Sequence, residues 1–471
     1  MESLTKRARE DLARLNFPPA NWVPPQASPD GKPLLDALVV GGGMCGQTAA
    51  FALLAEGVGN IRCVDRAPRG REGPWATYAR MDTLRSPKHL TGPDLGVPSL
   101  TYRAWHEARF GEEAWKALHK IARLHWVDYL LWVRDTVALP IENDLEIEAL
   151  ELLPKAVKAT FKNGQVVHAR KVVLALGRDG SGAPRWPAFG SFDPSARNGT
   201  AVFHSADDID FSALAGKRIG VLGAGASAFD NAGTALEAGA AAVTMFARRP
   251  ILPQENKSKW SAFPGFQHGY SSLDDARRWR FYTYIFSEQV PPPWESVQRC
   301  DRHAGFSLHF SESWKDISEE NSKMVVTTDK GRHVFDAVIV ATGFDVNLMD
   351  RPEIAAFRDS IRTWRDHVPA DEIVRFPEES RFPYLGDAFQ LTGNVPELAS
   401  VHLFNWGCTM SHGALAGDIP GLEIGARRLA RGIARDLVLA DADRHWERLL
   451  AHTEDELKPT RYWVPLTERG K

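Results

Sequence analysis

The sequence predicts an α/β fold made of two Rossmann-like units, each a doubly wound, mostly parallel sheet, with a small antiparallel insert in the first. Three observations predict it. A strand, a glycine-rich turn, a helix and a second strand follow one another twice, from Asp36 and again from Lys217. Further short apolar runs, at 172–177 and 334–343, end in glycine as buried parallel strands do. Two segments, 145–161 and 166–169, read instead as an antiparallel pair.

Taken in order, residues 1–16 set Leu4, Leu12 and Leu15 among Lys6, Arg7, Arg9, Glu10 and Asp11. That is a short amphipathic helix rather than the apolar core of a signal peptide. A Pro-rich arm, 17–33, leads to the first strand, Ala37-Leu38-Val39-Val40. Gly41-Gly42-Gly43-Met44-Cys45-Gly46 then fits G-x-G-x-x-G, a helix is expected over 47–56, and the next strand, 60–64, ends at Asp65. Each part has a physical job. Gly41 and Gly43 allow a tight turn and close approach to a pyrophosphate, and Gly46 lets helix and strand touch. The helix N-terminus offers its amides to phosphate, and Asp65 stands where a ribose hydroxyl is bound.

Beyond Asp65 the chain is loop-rich and polar, with Gly73-Pro74-Trp75 and then 81–88, which contains Arg85 and Lys88. A loop of this length reads as functional. A helix is expected over 114–137. After the antiparallel insert, the strand 172–177 ends at Gly177.

The pattern recurs at Lys217. Gly223-Ala224-Gly225-Ala226-Ser227-Ala228 fits G-x-G-x-x-A, a helix is expected over 229–238, and the strand 241–246 stops at Arg248-Arg249 rather than at an acid. Arginine there clamps a 2′-phosphate that Asp or Glu would repel, so NADP is expected over NAD. Residues 251–322 are dense in aromatic side chains, among them Trp260, Phe266, Tyr270, Trp279 and Tyr282, and read as an insertion lining a pocket or as ordinary core. The strand 334–344 includes Gly343, and a Gly-rich stretch, 407–425, precedes a last helix over 422–439.

With 471 residues the chain has room for two or more domains. Its formal net charge of -3 carries no basic excess, so nucleic acid is not an expected partner. No apolar run approaches the roughly 20 residues that span a bilayer. The four cysteines, Cys45, Cys63, Cys300 and Cys408, form no C-x-x-C or zinc spacing. No dithiol centre and no metal site is expected, and cytoplasm is the inferred location.

With these motifs in hand the chain resembles the two-dinucleotide flavoproteins, and more narrowly the class B flavoprotein monooxygenases: flavin-containing, N-hydroxylating and Baeyer–Villiger enzymes. Ala341-Thr342-Gly343 is similar to the A-T-G of that group, and Gly73-Pro74-Trp75 to its G-G-x-W. The stretch from Gly199 to His204-Ser205 resembles the family's linker. Asn198 and Thr200 stand where that pattern has Phe and Gly, which points away from the Baeyer–Villiger branch. Thr83-Leu84-Arg85-Ser86-Pro87 resembles the flavin-proximal loop of the N-hydroxylating branch. Ser411-His412-Gly413 and Asp418-Ile419-Pro420-Gly421 resemble its C-terminal flavin-binding segment.

The resemblance implies FAD held by Gly41, Gly43, Met44, Cys45, Gly46, Asp65, Arg66, Trp75, Arg85, Gly177, Gly343, His412 and Asp418. It implies NADPH, with NADH as the alternative, held by Gly223, Gly225, Ser227, Ala228, Arg248 and Arg249. Arg85, Lys88 and His204 are the catalytic candidates. The two cations would face flavin or nicotinamide or else be surface charges, and His204 would orient the linker or touch the nicotinamide. In such enzymes NADPH reduces FAD, O₂ adds at the flavin C4a, and the peroxyflavin passes one oxygen atom to a small soluble substrate. Nitrogen oxygenation of an amine or N-heterocycle is favoured.

The implied organisation is an N-terminal helix and arm (1–33), an FAD domain in two parts (34–190 and 331–471), and an NAD(P) domain between them (191–330). The strand at Gly343 is expected to return to the first sheet. A homo-oligomer is left open. Two other readings stand beside this one: a flavin-dependent NAD(P)H oxidase or reductase, and a non-catalytic redox sensor that binds both nucleotides.

Overall fold

A computed structural model describes the chain except residues 29–30, 90–91, 198–200 and 470–471. Part of the linker motif, Asn198, Gly199 and Thr200, therefore lies outside the described residues. The first sheet is built from β1 (Leu35–Val40), β2 (Ile61–Val64), β3 (Ile141–Glu142), β4 (Ile147–Leu153), β5 (Ala156–Phe161) and β6 (Val166–Leu174). Its parallel part runs β3-β2-β1-β6. The runs expected at 166–169 and 172–177 are one strand with two roles. The first half of β6 pairs antiparallel with β5, and its second half lies between β1 and a short parallel strand, Val401–Leu403. The central strands are apolar without alternation because both faces are covered.

The second unit has β7 (Val202–His204), β8 (Arg218–Leu222), β9 (Ala242–Ala247) and β10 (Phe306–Phe310). An antiparallel extension follows, β11 (Trp314–Glu320), β12 (Lys323–Thr328) and β13 (Arg332–Phe335), and then β14 (Ala337–Val340). The five parallel strands run β10-β9-β8-β14-β7. This corrects the expected return of the Gly343 strand to the first sheet. β14 sits between β8 and β7, and Val401–Leu403, here β15, is the strand that rejoins the first sheet. An apolar run records burial on both faces but not the sheet that buries it.

The expected helix over 114–137 is two, Glu112–Ala117 and Arg123–Val137. The chain between them turns aside to meet the loop before Arg85. Leu84 N donates to Ile121 O at 2.8 Å, and Arg123 N to Asp82 O at 3.0 Å. Helix Glu2–Arg14 buries Leu4, Ala8 and Leu12, and helix Met44–Ala55 packs on helix Leu422–Ala440. The aromatic stretch is mostly core. Tyr270, Trp279 and Tyr282 join Trp364, Phe382 and Met410 in one cluster, while Trp260 and Tyr284 stay exposed.

Two chain passages connect the units, and they are hydrogen-bonded to each other. Arg185 N donates to Gly343 O at 2.8 Å and Asp345 N to Ala183 O at 2.9 Å. An ion pair between Arg185 Nε and Asp345 Oδ1, also 2.8 Å, ties the same ribbon. Among the described residues, no helix is long and apolar enough to cross a membrane.

Candidate active site

Each glycine fingerprint forms a cradle at the carboxyl end of its sheet. In the first, β1 turns at Gly41, whose φ of +106° a side chain would rarely adopt, and where a Cβ would meet Ala175 O at 2.5 Å. Helix Met44–Ala55 has Gly43 as its N-cap and starts three residues earlier than expected, with no side chain capping it. A Cβ on Gly46 would sit 1.7 Å from Gly41 O, so helix and strand could not approach as they do. Uncapped amides at a helix start form an anion site.

Asp65, at the end of β2, accepts hydrogen bonds from Gly42 N and Ala67 N, both at 2.7 Å. Burial raises its pKa, and those two amides oppose the rise. The amides fix the carboxylate beside the turn and leave it lone pairs for a ribose. Arg66 reaches outward to Asp179, 3.3 Å away.

The loop with Gly73 and Trp75 closes over this cradle, Gly73 Cα lying 3.8 Å from the place of a Cβ on Gly43. A buried charge network anchors it. Glu72 accepts from Arg134 Nη1 at 2.8 Å, from Asn143 Nδ2 at 2.7 Å and from Gly70 N at 2.7 Å. Its partner helix is Arg123–Val137, whose first residue also donates to Trp75 O.

The C-terminal Gly-rich stretch arrives on the other side. Gly417 N donates to Cys45 Sγ at 3.3 Å, so this segment touches the start of the first fingerprint helix. Burial pushes the Cys45 thiol up to about 12. Asp418 lies 3.9 Å from Arg178, whose guanidinium stacks 3.9 Å over the Trp406 ring. Gly177, just before Arg178, has a φ of +71°.

Arg85 points across the gap between the units, 3.8 Å from the buried Asp230 on helix Ala226–Glu237. Burial is the largest influence on Arg85 and lowers its pKa; Asp230 and Asp418 oppose that, and Arg178 adds to it. Although its side chain keeps a solvent-facing edge, the fall has the sense expected of a cation crowded by protein atoms at the mouth of a cleft. Arg299 fastens the same loop, bonding Arg80 O at 3.0 Å, Asp82 at 3.3 Å and Glu237 at 2.6 Å.

The second cradle repeats the first. Gly223 has a φ of +120°, and a Cβ there would meet Ala341 O at 2.5 Å. Helix Ala226–Glu237 starts at Gly225 without a side-chain cap; Ser227 is exposed at its first turn and Ala228 buried behind it. Arg248 and Arg249 follow the end of β9, as expected. Arg248 is exposed with no ion-pair partner among the described residues, and Arg249 donates only to Ser287 O, at 3.3 Å.

Three expected residues are committed elsewhere. Lys88 donates to Trp115 O at 2.6 Å and lies 4.7 Å over the Trp115 ring, so it holds a helix end rather than facing the cleft. His204, the last residue of β7, is fully buried against Trp186 and Phe344 beside the inter-unit ribbon. Its Nδ1 accepts from Ala206 N at 3.1 Å, and burial holds the imidazole down to about 4, so it is a neutral packing group. His412 stacks on Phe389 and is bonded at both nitrogens, to Gly386 O at 2.9 Å and Arg428 at 3.3 Å. Burial lowers it to about 3, and it braces the C-terminal segment from behind. Gly343 belongs to the ribbon through its carbonyl.

Sequence reasoning missed Arg178, Trp406, Asp230 and Glu72. Only Arg178 carried a signal, its place directly after a strand-ending glycine. A cavity of about 460 Å³ lies by Trp294, Gln298 and Arg302, but no fingerprint residue lines it.

A profile described as FAD-NAD(P)-binding matches residues 38–179, which hold the first cradle. The chain is 38% identical over 465 residues to the FAD-dependent urate hydroxylase of Xanthomonas campestris pv. campestris, covering 97% of each. Among solved structures, the fold is similar to a reduced ornithine hydroxylase of Pseudomonas aeruginosa (TM-score 0.66, 16% identity, 86% of this chain and 100% of that one). It is also similar to the L-lysine 6-monooxygenase of Pseudomonas syringae (TM-score 0.65, 17% identity, 85% and 99%).

Proposed function

Because the chain belongs to the family of the FAD-dependent urate hydroxylase, within the class B flavoprotein monooxygenases, we propose that it hydroxylates urate or a closely related oxygen-rich N-heterocycle at the expense of NADPH and O₂. The observation that carries this reading is the similarity to the urate hydroxylase along 97% of both chains, at an identity far above that to the amine hydroxylases.

The residues fit FAD. The uncapped start of helix Met44–Ala55 and the bare edge of Gly43 would take the pyrophosphate. Asp65 would bind the ribose, and the 72–75 loop would cover it. Bound flavin supplies the redox chemistry with O₂, and the protein supplies position and a dry cleft. Arg85 and Arg178 are the cations at the mouth of that cleft, and there they would stabilise negative charge on the flavin or on an anionic substrate. Asp230 and Asp418 supply a counter-charge to each, 3.8 Å from Arg85 and 3.9 Å from Arg178 respectively. The second cradle would hold NADP, with Arg248 and Arg249 on the 2′-phosphate.

The test is oxygen consumption by FAD-loaded protein with NADPH, in the presence of urate, ornithine or lysine in turn. Urate should stimulate consumption and acquire one oxygen atom from ¹⁸O₂. Peroxide formation with no labelled product would favour the oxidase reading instead. Stimulation by an amine alone would overturn the substrate class.

A further inference from the structure

We propose that His309, Glu312 and His333 form a binding site for a first-row divalent metal ion, with Zn²⁺ as its representative, at the seam between the second sheet and its antiparallel extension. The three residues come from separate elements. His309 is on the edge strand β10, Glu312 lies two residues past that strand, and His333 is on β13. His309 Nδ1 is 2.9 Å from Glu312 Oε2, and His333 Nε2 is 2.7 Å from Oε1. All three donor atoms lie within 4.8 Å of one another.

The charge balance points to a cation. The Glu312 side chain is only 5% exposed, and among the described residues its ion-pair partners are the two imidazoles, with no Lys or Arg. A neutral imidazole offers a hydrogen bond but no charge, and a buried carboxylate is costly without one. Two imidazole nitrogens and one carboxylate oxygen suit zinc and its neighbours; magnesium and calcium prefer oxygen throughout. Three protein ligands with a fourth position open is an established zinc arrangement.

The surroundings have the form of a ligand sphere. Thr328 Oγ donates to Glu312 Oε1 at 2.7 Å and fixes the carboxylate. The Phe246 ring packs on His309 at 5.0 Å and on His333 at 4.9 Å, setting both ring orientations. Around bonds of about 2.0–2.1 Å, tetrahedral donors stand about 3.3 Å apart, so the two carboxylate–imidazole pairs need to open by roughly half an ångström. Neutral histidine accommodates the change by carrying its proton on the opposite nitrogen. The cysteine-based reading of the sequence expected no metal, because His309 and His333 meet only through the fold.

The ion would also stiffen a functional turn. Glu312 N donates to Ala247 O at 3.1 Å and Ser311 N to Arg249 O at 3.0 Å, so the ligand-bearing segment is zipped to the turn with Arg248 and Arg249.

The experiment is equilibrium dialysis of the tag-free, FAD-loaded full chain against Zn²⁺, with metal analysis and thermal unfolding. One ion per chain is expected, raising the midpoint of unfolding. His309→Asn and His333→Asn should each weaken binding by roughly tenfold or more and remove the thermal shift. If the wild-type chain retains no stoichiometric zinc, or if both variants retain it as the wild type does, the proposal is overturned.

Discussion

Glu72→Gln keeps the shape of a buried side chain and removes its charge, with a cost that can be worked from the network around it. The Glu72 and Arg134 side chains are 4% and 8% exposed. All three groups that meet the Glu72 carboxylate are donors: Arg134 Nη1, Asn143 Nδ2 and Gly70 N. A carboxylate accepts from all three. A glutamine must turn its NH₂ toward at least one of them and leaves the guanidinium buried without a counter-charge. Breaking one side of a buried pair costs about 3–5 kcal/mol, and the retained amide oxygen puts this variant near the lower end, about 3 kcal/mol. For a unit of about 300 residues, at roughly 2.1 cal/mol/K of unfolding entropy per residue, that lowers the unfolding midpoint by roughly 5 °C. The loop that covers the first cradle should loosen with it, so flavin should dissociate more readily.

The assay is thermal unfolding followed by tryptophan and flavin fluorescence, with hydrogen exchange over 70–75. The double variant Glu72→Leu with Arg134→Met should recover part of the loss, because the lone charge leaves with its partner. A Glu72→Gln protein within 0.5 kcal/mol of wild type, or strictly additive single variants, would refute the reasoning.

Two further outcomes follow from the geometry. Arg248→Ala with Arg249→Ala should leave the fold intact, since Arg248 has no ion-pair partner among the described residues and Arg249 gives up one exposed 3.3 Å hydrogen bond to Ser287 O. It should raise KM for NADPH by roughly tenfold to a hundredfold, the worth of a charged hydrogen bond, while KM for NADH changes little; equal changes would remove the 2′-phosphate assignment. Asp36 is buried at the start of β1, and burial raises its pKa from 3.8 to about 6. The folded state therefore binds the proton more tightly than the unfolded one, and this group's contribution falls as pH rises from about 4 to 6. Asp36→Asn should then stabilise the protein at pH 7.5 by up to about 3 kcal/mol, with the gain shrinking toward pH 4. A gain independent of pH in urea unfolding would contradict the burial argument.

Both nucleotide units could be read from the sequence because their signals are local. A strand, a glycine turn and a helix start lie within about thirty residues, and Gly41, Gly46 and Gly223 are required by contacts with near neighbours in the sheet. What depended on distant pairing was harder to read. β14 looks like any buried strand until its partners β7 and β8 are known. Residues 118–122 fit a helical pattern but are claimed by Leu84 and Asp82. His204 and His412 carry family-like spacing, yet packing by Trp186, Phe344 and Phe389 makes them neutral wedges. Glu72 found its partner only when helix Arg123–Val137 crossed the loop.

The zipped double passage between the units governs how they can move. A single tether would let the two halves drift apart or swivel. Here two antiparallel segments, locked by Arg185 and Asp345, act as one leaf hinge. Two paired segments resist extension and twist more than a single tether would, so the joint keeps the two cradles aligned with one another. Beside that joint, Arg85 reaches the buried Asp230 and the buried Arg299 holds the loop at Arg80 and Asp82, so the gap is also bridged by side chains.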